Sequence, residues 1–179
     1  MTIYTGVRRS EALGLRWSDV DLDHARLTIS QALEEVGTMI TIKPPKTSAG
    51  VRTISLPVVA VEALREHKRQ VLEQRLALGQ GKLPPDALVF GDPFTGEPQS
   101  PRAFAKRWSR VSRRIASGVR CHSLRHLHAS LLVHSGVDLA TVAARLGHAA
   151  IDVTLRTYTH QVTPDDRHAA DALDQALGQ

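Results

Sequence analysis

Apolar and polar residues alternate in three short stretches of the first third of the chain. ARLTIS (25–30), TMITIK (38–43) and RTISLP (52–57) each carry β-branched residues at period two, the spacing of strands with one buried face. PPKTSAGV, rich in Pro, Gly and Ser, separates the second from the third, so the three are expected to pair as one small antiparallel sheet. Upstream, RRSEALGLRW reads as a short helix with Leu13 and Trp17 four apart on one face. The residues before Gly6, Tyr4 included, carry no signal for an ordered element.

From Pro57 the period lengthens to that of helices. Apolar residues at 58, 61, 64, 71, 72 and 76 predict a long helix ending before Gly79. LPPDALVFGDPFTGEP reads as a loop with a short buried run, ALVF. SPRAFAKRWSRVSRRIA follows as a basic helix with Ser100 as N-cap and Pro101 at its first position. HSLRHLHASLLVHSG is a helix closed by Gly136, and DLATVAARLGH one capped by Asp138 and stopped at Gly147. TPDDRHAADALDQAL has Thr163 as cap, Pro164 at N1 and a stripe of Ala169, Ala172, Leu173, Ala176 and Leu177. The expected fold class is α+β, a mainly helical domain with a small three-stranded antiparallel sheet. Leu131, Leu132, Val142, Leu146 and Leu155 are expected in its core, and Phe104 and Trp108 should anchor the inner face of the basic helix.

Composition narrows the setting. The 179 residues suit one domain, and no apolar run reaches the ~18 residues that span a bilayer. The lone cysteine, Cys121, has no internal disulfide partner and reads as a packed small residue, so a cytoplasmic, nucleoid-associated location is expected. Net charge is +5, and its distribution says more than its size. Residues 1–97 carry 12 basic and 12 acidic side chains, whereas residues 98–137 carry eight Lys/Arg and no Asp or Glu. A solvated face ordinarily mixes signs, so this block points to the phosphates of a nucleic acid. Arg102, Lys106, Arg107, Arg110, Arg113 and Arg114 are the candidate DNA contacts. Arg outnumbers Lys 18 to 5, which suits bidentate phosphate binding, although a GC-rich genome gives the same excess.

Chemistry-bearing residues fall in four pieces: TGVRRSE (5–11), KTSAGVR (46–52), HSLR (122–125), and LGH with Tyr158 ten residues after its histidine. Taken singly each has an ordinary explanation. Arg8 lies three residues from Glu11, within reach of an ion pair. Lys46 sits on an exposed connector. His148 follows Gly147 at a helix end, where it can meet terminal carbonyls. His122, His126 and His128 could share zinc, but no Asp or Glu between 98 and 137 completes a ligand set. His122 and Arg125, three apart at a helix start, project toward one ligand beside helix N-terminal amides.

In this order, with the basic block around the third piece, the set resembles the catalytic domain of tyrosine recombinases of the phage-integrase family, over nearly the whole chain. The resemblance implies that Arg8 and Arg125 clamp the scissile phosphate and that His122 and His148 serve the same phosphate. It also implies that Lys46 protonates the departing 5′ oxygen, with Tyr158 as nucleophile forming a 3′-phosphotyrosine. Guanidinium forks suit this role because they hold developing phosphorane charge without losing a proton. A phenol of pKa ≈ 10 needs such cations nearby to attack as phenolate. The chemistry calls for no cofactor and no metal, and the sequence has no nucleotide-binding P-loop.

Residues 1–179 are accordingly expected to be one such catalytic domain, with the family's N-terminal core-binding domain absent. Its expected function is site-specific cutting and rejoining of double-stranded DNA. A homotetramer on paired sites is expected of the full-length enzyme and a monomer of this domain. A type IB topoisomerase-like nicking and resealing activity, or a DNA-binding remnant without full recombination activity, stand as alternatives.

Overall fold

The computed structural model describes residues 1–45, 47–115 and 118–148. Elements follow in the order α1 (Thr2–Thr5), α2 (Arg9–Gly14), β1 (Val20–Asp21), β2 (Arg26–Ile29), β3 (Ala32–Val36), β4 (Met39–Lys43) and β5 (Arg52–Ser55). Four helices complete the series: α3 (Val58–Ala77), α4 (Pro101–Ile115), α5 (Cys121–His134) and α6 (Leu139–Leu146). Lys46, Leu155, Tyr158 and the expected helix over 163–177 lie outside the described residues.

The sheet has different members from those the alternation predicts. ARLTIS and RTISLP do pair, as β2 and β5, with Leu27 opposite Ile54 and both buried. The third strand is β1, in the order β1-β2-β5, while TMITIK forms a separate two-stranded hairpin with β3. The reason is local: Gly37, at φ 63, and Thr38 make a tight turn, so β4 folds straight back on Ala32–Val36. Closing that short loop costs less entropy than pairing across the PPKTSAGV connector. The connector therefore joins two sheets and does not tip a hairpin. β3 escapes notice because Glu34 and Glu35 interrupt its apolar pattern.

Helix boundaries follow local caps. Asp138 accepts from the Thr141 amide at 2.8 Å, and Gly147 closes α6 in the left-handed region at φ 66. Ser100 caps α4, accepting from the Ala103 amide at 3.1 Å. The N-terminal stretch, unmarked in the sequence, is ordered. Residues 2–5 make one helical turn, α1, ended by Gly6 at φ 68 and packed on α5.

Two apolar clusters result. The larger joins Val7, Leu15, Trp17, Leu27, Ile29, Ile54, Leu64 and Val89 between the sheet, α2 and the start of α3. Val89 is the buried centre of the ALVF run. In α3 only Ala60, Val61 and Leu64 are buried, so most of its apolar stripe faces solvent. The smaller cluster joins Ala129, Val142 and Leu146, with Leu132 packed against it, between α5 and α6. Leu131, expected in the core, is exposed because it points away from α6's side of α5. Phe104 and Trp108 are half-buried, and the Trp108 indole donates to the Val119 carbonyl at 2.7 Å. No described helix is long and apolar enough to cross a membrane.

Candidate functional site

Residues from the start of α2, from α4 and from the start of α5 line a cleft of about 700 Å³ that gathers Arg8, His122 and Arg125, from the first and third of the four chemistry-bearing pieces. Arg9, Arg113, Arg120, Trp108 and Cys121 also line it, and no Asp or Glu does among the described residues.

Arg8 precedes α2 in an extended conformation, which frees its side chain from the helix. Its backbone amide and its Nη1 both donate to the Glu11 carboxylate at 2.8 Å, while Nη2 reaches the Gly147 carbonyl at 3.4 Å. The ion pair with Glu11 thus exists, and it orients a side chain still 41% exposed. Arg125 is only 4% exposed. Its Nη1 donates to the Gly6 carbonyl at 2.5 Å and its Nη2 to the Leu146 carbonyl at 2.7 Å. Both carbonyls are neutral groups, so neither of these two contacts cancels the guanidinium charge.

His122, near the start of α5, is exposed and packs edge-on against His126, ring centroids 4.5 Å apart. Partial burial, then the charges of His126, Arg125 and Arg8, lower its pKa. His148 lies just past α6, its amide bonded to the Ala143 carbonyl at 3.0 Å. Burial first, then the charges of Arg125, Arg8 and Arg52, push its pKa down to about 4. Both rings are therefore biased toward the neutral form, able to accept a proton. Four candidates, Arg8, His122, Arg125 and His148, thus share one electrostatic neighbourhood. Lys46 and Tyr158 lie outside the described residues. Lys43, at the end of β4, is paired with Glu34.

All six candidate DNA contacts on α4 are exposed, but only Arg113 lines the cleft. Arg102 also donates to the Gly37 carbonyl at 3.4 Å, and its amide, with the Ser100 hydroxyl, is held by Glu35 at 2.9 Å. Glu35 thereby ties α4 to the β3–β4 hairpin. Cys121 is half-buried at the cleft wall, and burial raises its thiol pKa against the opposing charge of Arg9. Among the described residues no group of three or more His, Cys, Asp and Glu side chains is placed to hold a metal ion.

Several residues that shape the site are not marked out by the sequence. Glu11 is buried and receives Arg52 as well as Arg8, the Arg52 guanidinium at 2.9 and 3.2 Å. Burial drives its carboxyl up, but the hydrogen bonds and charge of Arg52, helped by Arg8, hold it below the ordinary carboxylate value. Arg52, its side chain 7% exposed, also donates to the Arg145 carbonyl at 2.8 Å. A signal existed for this pair: Arg52 alternates in phase with the buried Ile54, and an arginine on the core face of a strand requires a buried partner. His128, read from the sequence only as one of three histidines that could share zinc, and Arg145 are the other two, and nothing in the local sequence marks this role.

Known proteins resemble the chain along nearly its whole length. A tyrosine recombinase XerC-like protein of Caldanaerobacter subterraneus subsp. tengcongensis is 30% identical over 184 residues, covering 95% of this chain and 46% of that protein. The ICEBs1 integrase of Bacillus subtilis is 26% identical over 174 residues, covering 97% and 46%. The chain thus spans about half the length of these relatives. The Tn1549 transposon integrase, solved in complex with transposon right end DNA, superposes with a TM-score of 0.73 at 22% identity, covering 99% of this chain and 57% of that one. The α+β fold class inferred from the sequence is the fold of that structure. The model of the phage integrase family matches residues 1–163, and the chain belongs to that family.

Proposed function

We propose that residues 1–179 are a catalytic domain that cuts and rejoins double-stranded DNA at specific sites through a 3′-phosphotyrosine on Tyr158. The observation that carries this reading is the cleft in which Arg8, His122 and Arg125 converge with further arginines and no carboxylate. Two guanidiniums, one just before α2 and one on α5, would hold the non-bridging oxygens of one phosphate, stabilising the extra charge of a pentavalent transition state. His122 and His148, biased to their neutral forms, would accept or relay the phenol proton as the Tyr158 oxygen bonds to phosphorus. Lys46, in the connector after β4, would donate a proton to the departing 5′ oxygen. The phosphodiester energy is conserved in the phosphotyrosine, so rejoining needs no nucleotide cofactor.

Arg113 on the cleft wall would contact phosphates flanking the scissile one, and Arg102, Lys106, Arg107, Arg110 and Arg114 the backbone farther out. DNA in the Tn1549 integrase complex supports a DNA partner for this chain. Strand exchange needs paired sites, and a homotetramer on them is the assembly this reading implies. A nicked suicide duplex carrying a cognate site tests it. The domain should leave a protein–DNA adduct that survives denaturant, and Tyr158→Phe should abolish the adduct while DNA affinity changes little. An adduct that persists in that variant would move the nucleophile elsewhere.

A further inference from the structure

The Arg125 guanidinium donates to two carbonyls, those of Gly6 and Leu146, and both are braced by one pair of side chains. His128 follows Arg125 by three residues on α5 and is 5% exposed. Its Nε2 lies 3.1 Å from Nε of Arg145, and its Nδ1 lies 2.9 Å from the Ile3 carbonyl. A guanidinium only donates, so Nε2 must carry the lone pair, and Nδ1 carries the proton that goes to Ile3. The contacts thus fix both tautomer and charge: a neutral ring with one assigned donor and one assigned acceptor. Burial first, then the charges of Arg145 and Arg125, favour that neutral form, outweighing the Ile3 hydrogen bond.

Arg145 extends the arrangement. Its Nη2 donates to the Tyr4 carbonyl at 3.2 Å and to the Ser55 carbonyl at 3.0 Å, so one side chain ties α6 to α1, α5 and β5. Its own carbonyl takes the Arg52 guanidinium, which binds the carboxylate that holds Arg8. The following residue, Leu146, supplies the carbonyl for Arg125 Nη2. On the other side, Gly6 sits flush against the imidazole. A Cβ there would fall 2.6 Å from Cδ2 of His128 and 2.8 Å from Cδ2 of Leu146. The ring edge therefore sets the position of the turn whose carbonyl receives Arg125 Nη1.

We infer that His128 and Arg145 form a clasp that positions Arg125, and through Arg52 and Glu11 also Arg8, so that the two phosphate-binding guanidiniums are set by one part-buried hydrogen bond. Neither residue touches DNA in this scheme; they are positioning residues. The inference rests on the function proposed above for the two arginines.

Three variants and one spectroscopic measurement on the 179-residue chain test it. His128→Phe fills the slot but leaves Arg145 Nε without an acceptor. The rate of adduct formation should fall about 10- to 100-fold, the scale on which small misplacements of reacting groups act. DNA affinity should stay within about twofold, since the charged side chains that meet the flanking phosphates are untouched. His128→Gln, which returns an acceptor to Arg145, should recover much of the rate, and Arg145→Lys, which loses the fork, should resemble His128→Phe. A wild-type rate in His128→Phe, or equal losses in all three variants, overturns the clasp.

Nitrogen-15 NMR of the wild-type protein decides the same point without catalysis. It should show His128 protonated at Nδ1 alone, together with an exchange-protected Arg125 guanidinium signal that disappears in His128→Phe. The opposite tautomer, or an Arg125 signal unchanged by the substitution, refutes the inference. If the wild-type chain forms no adduct yet shows these signals, the proposed activity fails and the clasp stands.

Discussion

Replacing Glu11 by Ala probes the ion-pair arrangement beneath the cleft. Its carboxylate accepts four hydrogen bonds, from the Arg8 amide and Nη1 at 2.8 Å and from Arg52 at 2.9 and 3.2 Å. Arg52 is almost fully enclosed, so the substitution strands a buried guanidinium, which costs about 3–5 kcal/mol. Arg8 is partly hydrated, and its half of the arrangement adds about 1 kcal/mol at most. At ~2–4 °C per kcal/mol for a chain of this size, the melting temperature should drop by roughly 6–24 °C in calorimetry. Removing both charges together, as Glu11→Leu with Arg52→Met, should recover roughly half of the loss, because apolar replacement of a buried pair is near neutral while the Arg145 carbonyl still lacks its donor. A Glu11→Ala loss below about 1 kcal/mol, the range of exposed pairs, would refute the reasoning by showing the pair to be hydrated.

Three further outcomes are expected. Arg113→Glu should weaken DNA binding more than Arg110→Glu with Arg114→Glu, because only Arg113 lines the cleft, and each phosphate no longer neutralised should lower the salt slope by ~0.9 in filter-binding titrations; equal effects would place the interface elsewhere. Stability should decline on acidification: the unfolded His148 takes its proton near 6.5 and the folded one at about 4, so protonation favours unfolding between those pH values and adds nothing further below about 4. Thermal melts of His148→Gln should show a shallower decline across that window, and an unchanged slope would remove His148 as its source. Adduct formation should persist in EDTA, since arginines and histidines take the phosphate charge; activity restored only by Mg²⁺ or Zn²⁺ would return attention to the histidines of α5.

What the sequence discloses and what it hides divide along the range of the interactions. Asp138, Ser100, Gly136 and Gly147 announce helix ends because their partners lie within a few residues. Arg8, His122, Arg125 and His148 stand out because the motifs that carry them, taken in order, resemble those of a known family. β3 is hidden because its glutamates serve distant partners, Glu34 pairing with Lys43 and Glu35 capping α4. Alternation identifies the strands but does not say that TMITIK pairs across Gly37 while ARLTIS reaches past it to RTISLP. His128 and Arg145 are illegible for the same reason: their partners are carbonyls of Ile3, Tyr4 and Ser55, which no residue type advertises.

The central claim, a phosphotyrosine formed on Tyr158, is tested most directly by isolating the adduct from a nicked duplex, digesting protein and DNA, and locating the modified residue by mass spectrometry. A nucleotide joined through its 3′ phosphate to the peptide containing Tyr158 is expected. A nucleotide on any other residue, or a joint through a 5′ phosphate, would contradict it.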